Sequence, residues 1–231
     1  MNAVPTPTPG SDARGFCFAL ETDAQGLLLR AAHHPDYGPI RADWIGAETR
    51  RRIQAGKRQL LARAIGLHKR DNLSVLDATA GLGRDGYTLA ALGASVTLVE
   101  RHPLLLPLLE DARQRALADT QAAAAAMRTE ILAGEAAAVL ASGRRWDVVH
   151  LDPMYPHTSK QALPQKEMQI LRELTDGDPD AAALLAPARA FAKLRVVVKR
   201  PRTAPFLDGA APSFQLVGSQ ARYDVYLPSP A

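Results

Sequence analysis

A single cysteine, Cys17, is all that the 231 residues offer to thiol chemistry. One thiol cannot build a disulfide framework or a Cys-rich zinc site, and it suits a reducing compartment. Aromatic residues are only 5% of the chain, so Ala, Leu and Val must fill the core. No apolar run approaches the ~20 residues of a membrane span; the leucines of 104–109 are interrupted by Pro107. The first ten residues, MNAVPTPTPG, lack the basic start and apolar stretch of a secretory leader. Their alternating Pro and Thr predict a disordered tail over residues 1–13. These absences point to a cytoplasmic protein with no membrane partner. The six histidines show no metal-ligand spacing. His33 and His34 are adjacent and would point apart, so no metal is expected. No nucleophilic-serine motif occurs either.

What is present is a chain 47% hydrophobic, enough for one large domain with a small appendage. The net charge is only +4, yet eight basic residues and one acid lie between Glu48 and Arg70. The rest of the chain is therefore net acidic. A local basic stretch of this kind suits a polyanionic partner, or else forms a solvated helix face.

Residues 16–20 and 27–30 read as two short strands around Asp23-Ala-Gln-Gly26. Residues 47–67 read as a helix with a sparse apolar stripe, interrupted by Gly56. Residues 14–70 form an N-terminal extension on this reading. From residue 71 to 231, strand-like and helix-like runs alternate. Strands are predicted at 73–77, 95–100, 129–133, 146–151 and 194–199, and helices at 84–92, 103–119, 166–174 and 181–192. Such alternation predicts an α/β, mostly parallel, doubly wound sheet of Rossmann-like type. Residues 214–218 and 223–227 are too close for an intervening helix, so they predict an antiparallel C-terminal edge. This layout matches the class I S-adenosylmethionine-dependent methyltransferase variant of the fold.

The stretch Asp77-Ala-Thr-Ala-Gly-Leu-Gly-Arg-Asp-Gly86 runs from a strand into a helix. Gly81 and Gly83 allow a sharp bend and close approach to a ligand. Gly81 to Gly86 also fits the dinucleotide pattern G-x-G-x-x-G. Asp77 and Asp85 flank this turn, where they would repel a pyrophosphate and attract a sulfonium and an amino group. That favours S-adenosylmethionine over a nicotinamide dinucleotide. Glu100 ends the second parallel strand, where a carboxylate can accept ribose hydroxyls. After the third strand, Gly134-Glu135 opens a helix. Glu135 either accepts an adenine amino group or is an ordinary first-turn acid.

The buried-strand pattern Trp146–Leu151 runs into Asp152-Pro153-Met154-Tyr155-Pro156-His157. Methylating an exocyclic amine requires acceptors for its N–H groups and a surface for the flat base. The Asp152 carboxylate and the Pro153 carbonyl supply the first, and Tyr155 supplies the second. This loop resembles the Asp/Asn-Pro-Pro-aromatic motif of amino-methylating nucleic-acid methyltransferases, with Met154 at the second proline. Lys199 and Arg200 end the fifth strand beside the same crevice. There they would hold an RNA phosphate or orient the base, or be a solvated strand end.

Residues 77–85, Leu151-Asp-Pro-Met-Tyr-Pro-His157, Lys166-Glu-Met168 and Val196-Val-Val-Lys-Arg-Pro201 together resemble the bacterial small-subunit ribosomal RNA methyltransferases of type J. The resemblance implies methylation of the exocyclic N2 of a guanine in 16S RNA, with ribosomal RNA or the small subunit as partner. It also implies cofactor contacts at Arg84 and Asp85, Glu100 and Arg101, Gly134 and Glu135, and Asp152. Two departures stand out: fewer glycines in residues 51–58, and Gly134-Glu135 in place of small hydroxyl residues. The competing readings are an amino-methyltransferase acting on DNA adenine or a protein glutamine amide, and a non-catalytic RNA-binding module.

Overall fold

The computed structural model describes residues 15–154, 166–178, 180–219 and 221–228. The chain opens with the antiparallel pair β1 (Phe18–Asp23) and β2 (Gly26–Ala31), a two-stranded sheet of its own. Two helices follow, α1 (Ala47–Gln54) and α2 (Leu60–Ile65). The single helix expected over 47–67 is thus two. Gly56 takes a φ of +64°, which a right-handed helix cannot contain, and a 3₁₀ turn joins the pieces.

The main sheet contains β3 (Ser74–Asp77), β4 (Ser95–Glu100), β5 (Thr129–Ala133), β6 (Trp146–Leu151), β7 (Ala192–Pro201), β8 (Phe214–Val217) and β9 (Ala221–Tyr226), in the order β5-β4-β3-β6-β7-β9-β8. The first five strands are parallel. Both β9 and β8 run antiparallel to their neighbours, as the short 214–227 spacing requires. The helices are α3 (Arg84–Ala91), α4 (Leu105–Ala118), α5 (Ala123–Ala126), α6 (Ala136–Ala141), α7 (Lys166–Thr175) and α8 (Leu185–Phe191). Helix α4 begins two residues after Pro103 and holds Pro107 in its first turn, where a missing N–H leaves no bond unmade.

Alternation along the strands splits the interior in two. Val75, Val148, Val197 and Val225 face one core, shared with α2, α3, α4 and α7. Leu76, Val149, Val196 and Val198 face the other, shared with α6 and α8. The first core also takes Leu29, Ile40, Trp44, Leu61 and Ile65 from before the sheet. The same alternation turns Asp77, His150, Lys199 and Tyr223 toward this first side at the ends of four neighbouring strands. Asp77 lies opposite His150 and Lys199 opposite Tyr223 in register.

His33 and His34 do not point apart. They sit in the turn after β2, where strand alternation does not apply, and both rings reach Glu173 on α7. Among the described residues, no helix is long and apolar enough to cross a membrane.

Candidate active site

The glycine turn is fixed from below by the sheet and from the side by the N-terminal extension. The N–H of Ala78 donates to the His150 carbonyl at 3.0 Å and that of Ala80 to Val99 at 3.1 Å. The N–H of Asp152 donates to Thr79 Oγ1 at 2.7 Å, which ties the turn to the strand end beside it. Gly83 has a φ of +71°, and a Cβ there would come within 2.8 Å of Trp44 and of Leu109. Trp44 donates its indole N–H to the Leu82 carbonyl at 3.0 Å and stacks on Tyr87 at 4.8 Å. The extension therefore clamps the turn through one buried aromatic residue.

A cavity of about 450 Å³ opens above this turn. Asp77, Gly81, Arg84, Asp85, Glu100, Arg101, Gly134, Glu135, Asp152, Pro153 and Lys199 all line it. Gly83 lies just outside as the residue preceding α3. Tyr155 lies outside the described residues. Ala78, Val99, Leu105 and Leu184 supply apolar wall.

Two acids stand ready for a ligand. Glu100 receives the Gly81 N–H at 2.9 Å and the His102 N–H at 2.7 Å, one on each oxygen. A carboxylate has about four lone-pair sites, so acceptor capacity remains for vicinal hydroxyls. Burial pushes its carboxyl upward, partly offset by these backbone donors. Asp77 is only 2% exposed, and among the described residues its Oδ1 has no hydrogen-bond partner. Burial drives its carboxyl up to about 6, with His150 opposing and Asp85 adding to the rise. An unpaired buried carboxylate oxygen is costly. A cationic group seated in the cavity would relieve that cost, so the donor set fits a cofactor with a cationic amino acid end and a ribose.

One wall of the cavity carries a chain of charges. Lys199 Nζ donates to Asp152 at 2.7 Å and to Asp85 at 2.9 Å. Arg52, from α1, donates to the other oxygen of Asp85. His150 is fully buried; its Nε2 is 3.5 Å from Asp85, a charge contact rather than a good hydrogen bond. Burial disfavours the charge on Asp85, but Lys199, His150 and Arg52 outweigh it and hold the carboxyl well below its usual range. Burial likewise opposes the Lys199 charge, and Asp152 and Asp85 overcome it, raising the ammonium well above normal. His150 is raised because Asp85 and Asp77 exceed its desolvation. Tyr223 is pushed up to about 12 by burial and by Asp85.

The rim is acidic and basic in turn. Arg101 pairs with Asp180 at 2.7 Å, Asp178 at 3.1 Å and Glu135 at 3.3 Å. These partners raise its already high value. Asp178 also receives the Met154 N–H at 2.7 Å, which fixes the backbone just after Asp152-Pro153. Arg84 donates to Glu167 of α7 at 3.1 Å. Arg200 also lines the cavity, and its guanidinium donates to the Pro205 carbonyl at 2.9 Å.

Sequence reasoning missed Arg52, His150, Tyr223, Trp44 and Asp178. His150 was the most accessible of these, since a histidine two residues after Val148 in an apolar strand must share its face. Arg52 was hidden among seven other basic residues, and nothing in the spacing separates it from them.

The description "Putative SAM-dependent methyltransferase" belongs to the family model that matches residues 11–228. The sheet order and the cationic-ligand cavity define the same class: the chain is an S-adenosylmethionine-dependent methyltransferase with a Rossmann-like fold. It is 48% identical over 216 residues to the ribosomal RNA small subunit methyltransferase J of Pseudomonas paraeruginosa, covering 90% of this chain and 82% of that one. The protein of that name from Stutzerimonas stutzeri is 45% identical over 213 residues, covering 90% and 83%. A solved SAM-dependent methyltransferase from Neisseria gonorrhoeae superposes with a TM-score of 0.75 at 34% identity, covering 99% of this chain and 88% of that chain. The chain belongs to the ribosomal RNA small subunit methyltransferase J family.

Proposed function

We propose that the chain transfers a methyl group from S-adenosylmethionine to the exocyclic N2 of a guanine in small-subunit ribosomal RNA, in the cytoplasm. The observation that carries this reading is the Asp152–Lys199 pair at the mouth of a cavity floored by the unpaired Asp77 oxygen. Bound there, S-adenosylmethionine supplies an electrophilic methyl on a sulfonium cation. Asp77 would balance positive charge at the amino acid end, and Glu100 would accept the ribose hydroxyls. Arg84, Asp85, Arg101, Gly134 and Glu135 would complete the walls.

The acceptor amine is a poor nucleophile because its lone pair is spread into the ring. Asp152, with a side chain 38% exposed, can accept one of its N–H groups from the solvent side. The Pro153 carbonyl can accept another, and Tyr155 can stack on the base. Lys199 takes one Asp152 oxygen, which leaves the other for the amine and fixes the plane of the carboxylate. Positioning of this kind is the main lever available for an in-line methyl transfer.

The basic stretch divides into two groups. Arg52 is committed to Asp85, Lys57 to Asp71 and Arg50 to Asp119. Arg51, Arg58, Arg63, Lys69 and Arg70 are exposed and are suited to RNA phosphates.

A panel of acceptors tests the reading: small-subunit particles, naked 16S RNA, duplex DNA and a glutamine peptide, each with methyl-labelled cofactor. Label in the subunit or its RNA is the expected result. Label only in DNA or the peptide would overturn it.

A further inference from the structure

The loop after β2 carries a cluster that the methyl-transfer site does not use. His33 Nε2 lies 2.9 Å from Glu173 Oε2, and His34 Nε2 lies 2.9 Å from Oε1 and 3.1 Å from Oε2. All three ligand atoms fall within 4.8 Å of one another. We propose that His33, His34 and Glu173 form a binding site for a divalent transition-metal ion of the zinc type, tying the N-terminal extension to α7.

Three features favour an ion over a plain hydrogen-bonded trio. The donor set is two imidazoles and one carboxylate, a combination that binds zinc with a position left for water. With neutral rings the set carries one negative charge, which suits a dication. The ring of His33 is also oriented from behind. Its Nδ1 accepts the Cys17 N–H at 3.0 Å and lies 3.1 Å from the Cys17 carbonyl oxygen. With Nδ1 accepting, Nε2 carries the ring proton toward Glu173; a cation binding at Nε2 would shift that proton to Nδ1, where the Cys17 carbonyl can accept it. A backbone acceptor behind a ligating imidazole is the usual support at metal sites.

The rings are also held in place. His33 packs against Phe16 and Phe18 with centroids 4.9 and 5.0 Å away, and His34 stacks on Tyr37 at 4.4 Å and 11°. Zinc–nitrogen and zinc–oxygen bonds of about 2.0–2.2 Å would require the ligand atoms to close around a common centre, a movement of side-chain torsions rather than of backbone. The consequence is structural. Helix α7 carries Glu167, Leu171 and Arg172 on the cavity wall, so an ion at Glu173 would brace that wall against the extension.

The test uses the full chain, stripped with a chelator and dialysed. Zinc is titrated in competition with a chromophoric chelator, and cobalt(II) is added separately for its visible spectrum. The expected result is one equivalent of zinc, with affinity falling more than about tenfold in His33→Ala/His34→Ala and in Glu173→Gln. Circular dichroism checks that the variants are folded. His34→Ala alone serves if the double variant is not. X-ray absorption on the zinc-loaded parent, which needs no variant, should show two imidazole ligands. Absence of stoichiometric uptake, uptake unchanged in folded variants, or a zinc environment without imidazole would each overturn the proposal.

Discussion

Arg52 and Arg51 are neighbours in one helix, yet they should fail in opposite ways. Arg52 neutralises Asp85, which holds Lys199, which holds Asp152. Arg52→Ala should lower kcat by about ten- to a hundredfold through misplacement of the carboxylate, with RNA affinity little changed. Arg51→Ala should instead raise the Kd for RNA and reduce its salt slope by about one. Filter binding over a salt series, run beside turnover, separates the two. Asp77 permits a second prediction. Its ordinary value is 3.8, and burial raises it to about 6, so the folded chain keeps a proton that the unfolded chain has released. The stability from that proton is complete below about pH 4 and is lost as pH rises through about 6. Asp77→Asn removes the loss. Its thermal stability relative to the parent should therefore grow between about pH 4 and about pH 7, by up to about 3 kcal/mol, while affinity for S-adenosylmethionine falls. A parallel pH dependence in both proteins would contradict the account. At this scale the sequence was readable for acids flanking glycines, because their spacing alone sets the charge around the turn. It was silent on Arg52, whose partner lies 33 residues away.

The elements that matter most are the glycine turn and the segment that clamps it. Trp44 is 1% exposed and fills the space that a side chain at position 83 would need. Gly83→Ala should abolish cofactor binding in calorimetry, because the residue must hold a positive φ against Trp44 and Leu109 at once. Trp44→Ala should cost about 3–5 kcal/mol in denaturant unfolding and weaken cofactor binding as Leu82 loses its donor. An unaltered binding isotherm in both would show that the clamp is incidental. Most strands were legible from their apolar runs and most helices from their periodicity. The failures have local causes. Gly56 breaks the helix expected over 47–67 by its positive φ. Strand β7 starts at Ala192 rather than 194, since its pairing with β6, not its own pattern, sets the beginning. His33 and His34, expected to point apart because they are adjacent, instead converge on Glu173 because the turn after β2 brings both rings to one side.

Across the whole molecule, the extension and the sheet share one apolar core. Leu29, Ile40, Trp44, Leu61 and Ile65 pack with Val75, Val148 and Val197. A chain beginning after Leu67 should therefore expose that face and fail to fold cooperatively, seen as loss of a single thermal transition. Retention of the transition and of cofactor binding would mean the sheet stands alone. The net acidic body with a basic stretch ahead of it was visible from composition, whereas the role proposed for Asp152 rests on the Asp152-Pro153 motif that follows the strand Trp146–Leu151. The most direct test of the whole account is nucleoside analysis of small-subunit RNA from cells lacking the activity, after incubation with the chain and S-adenosylmethionine. The account predicts N2-methylguanosine with the parent chain. It also predicts a drop of at least about a hundredfold in Asp152→Ala at saturating S-adenosylmethionine. Methyl groups on adenine alone, or full activity in Asp152→Ala, would contradict it.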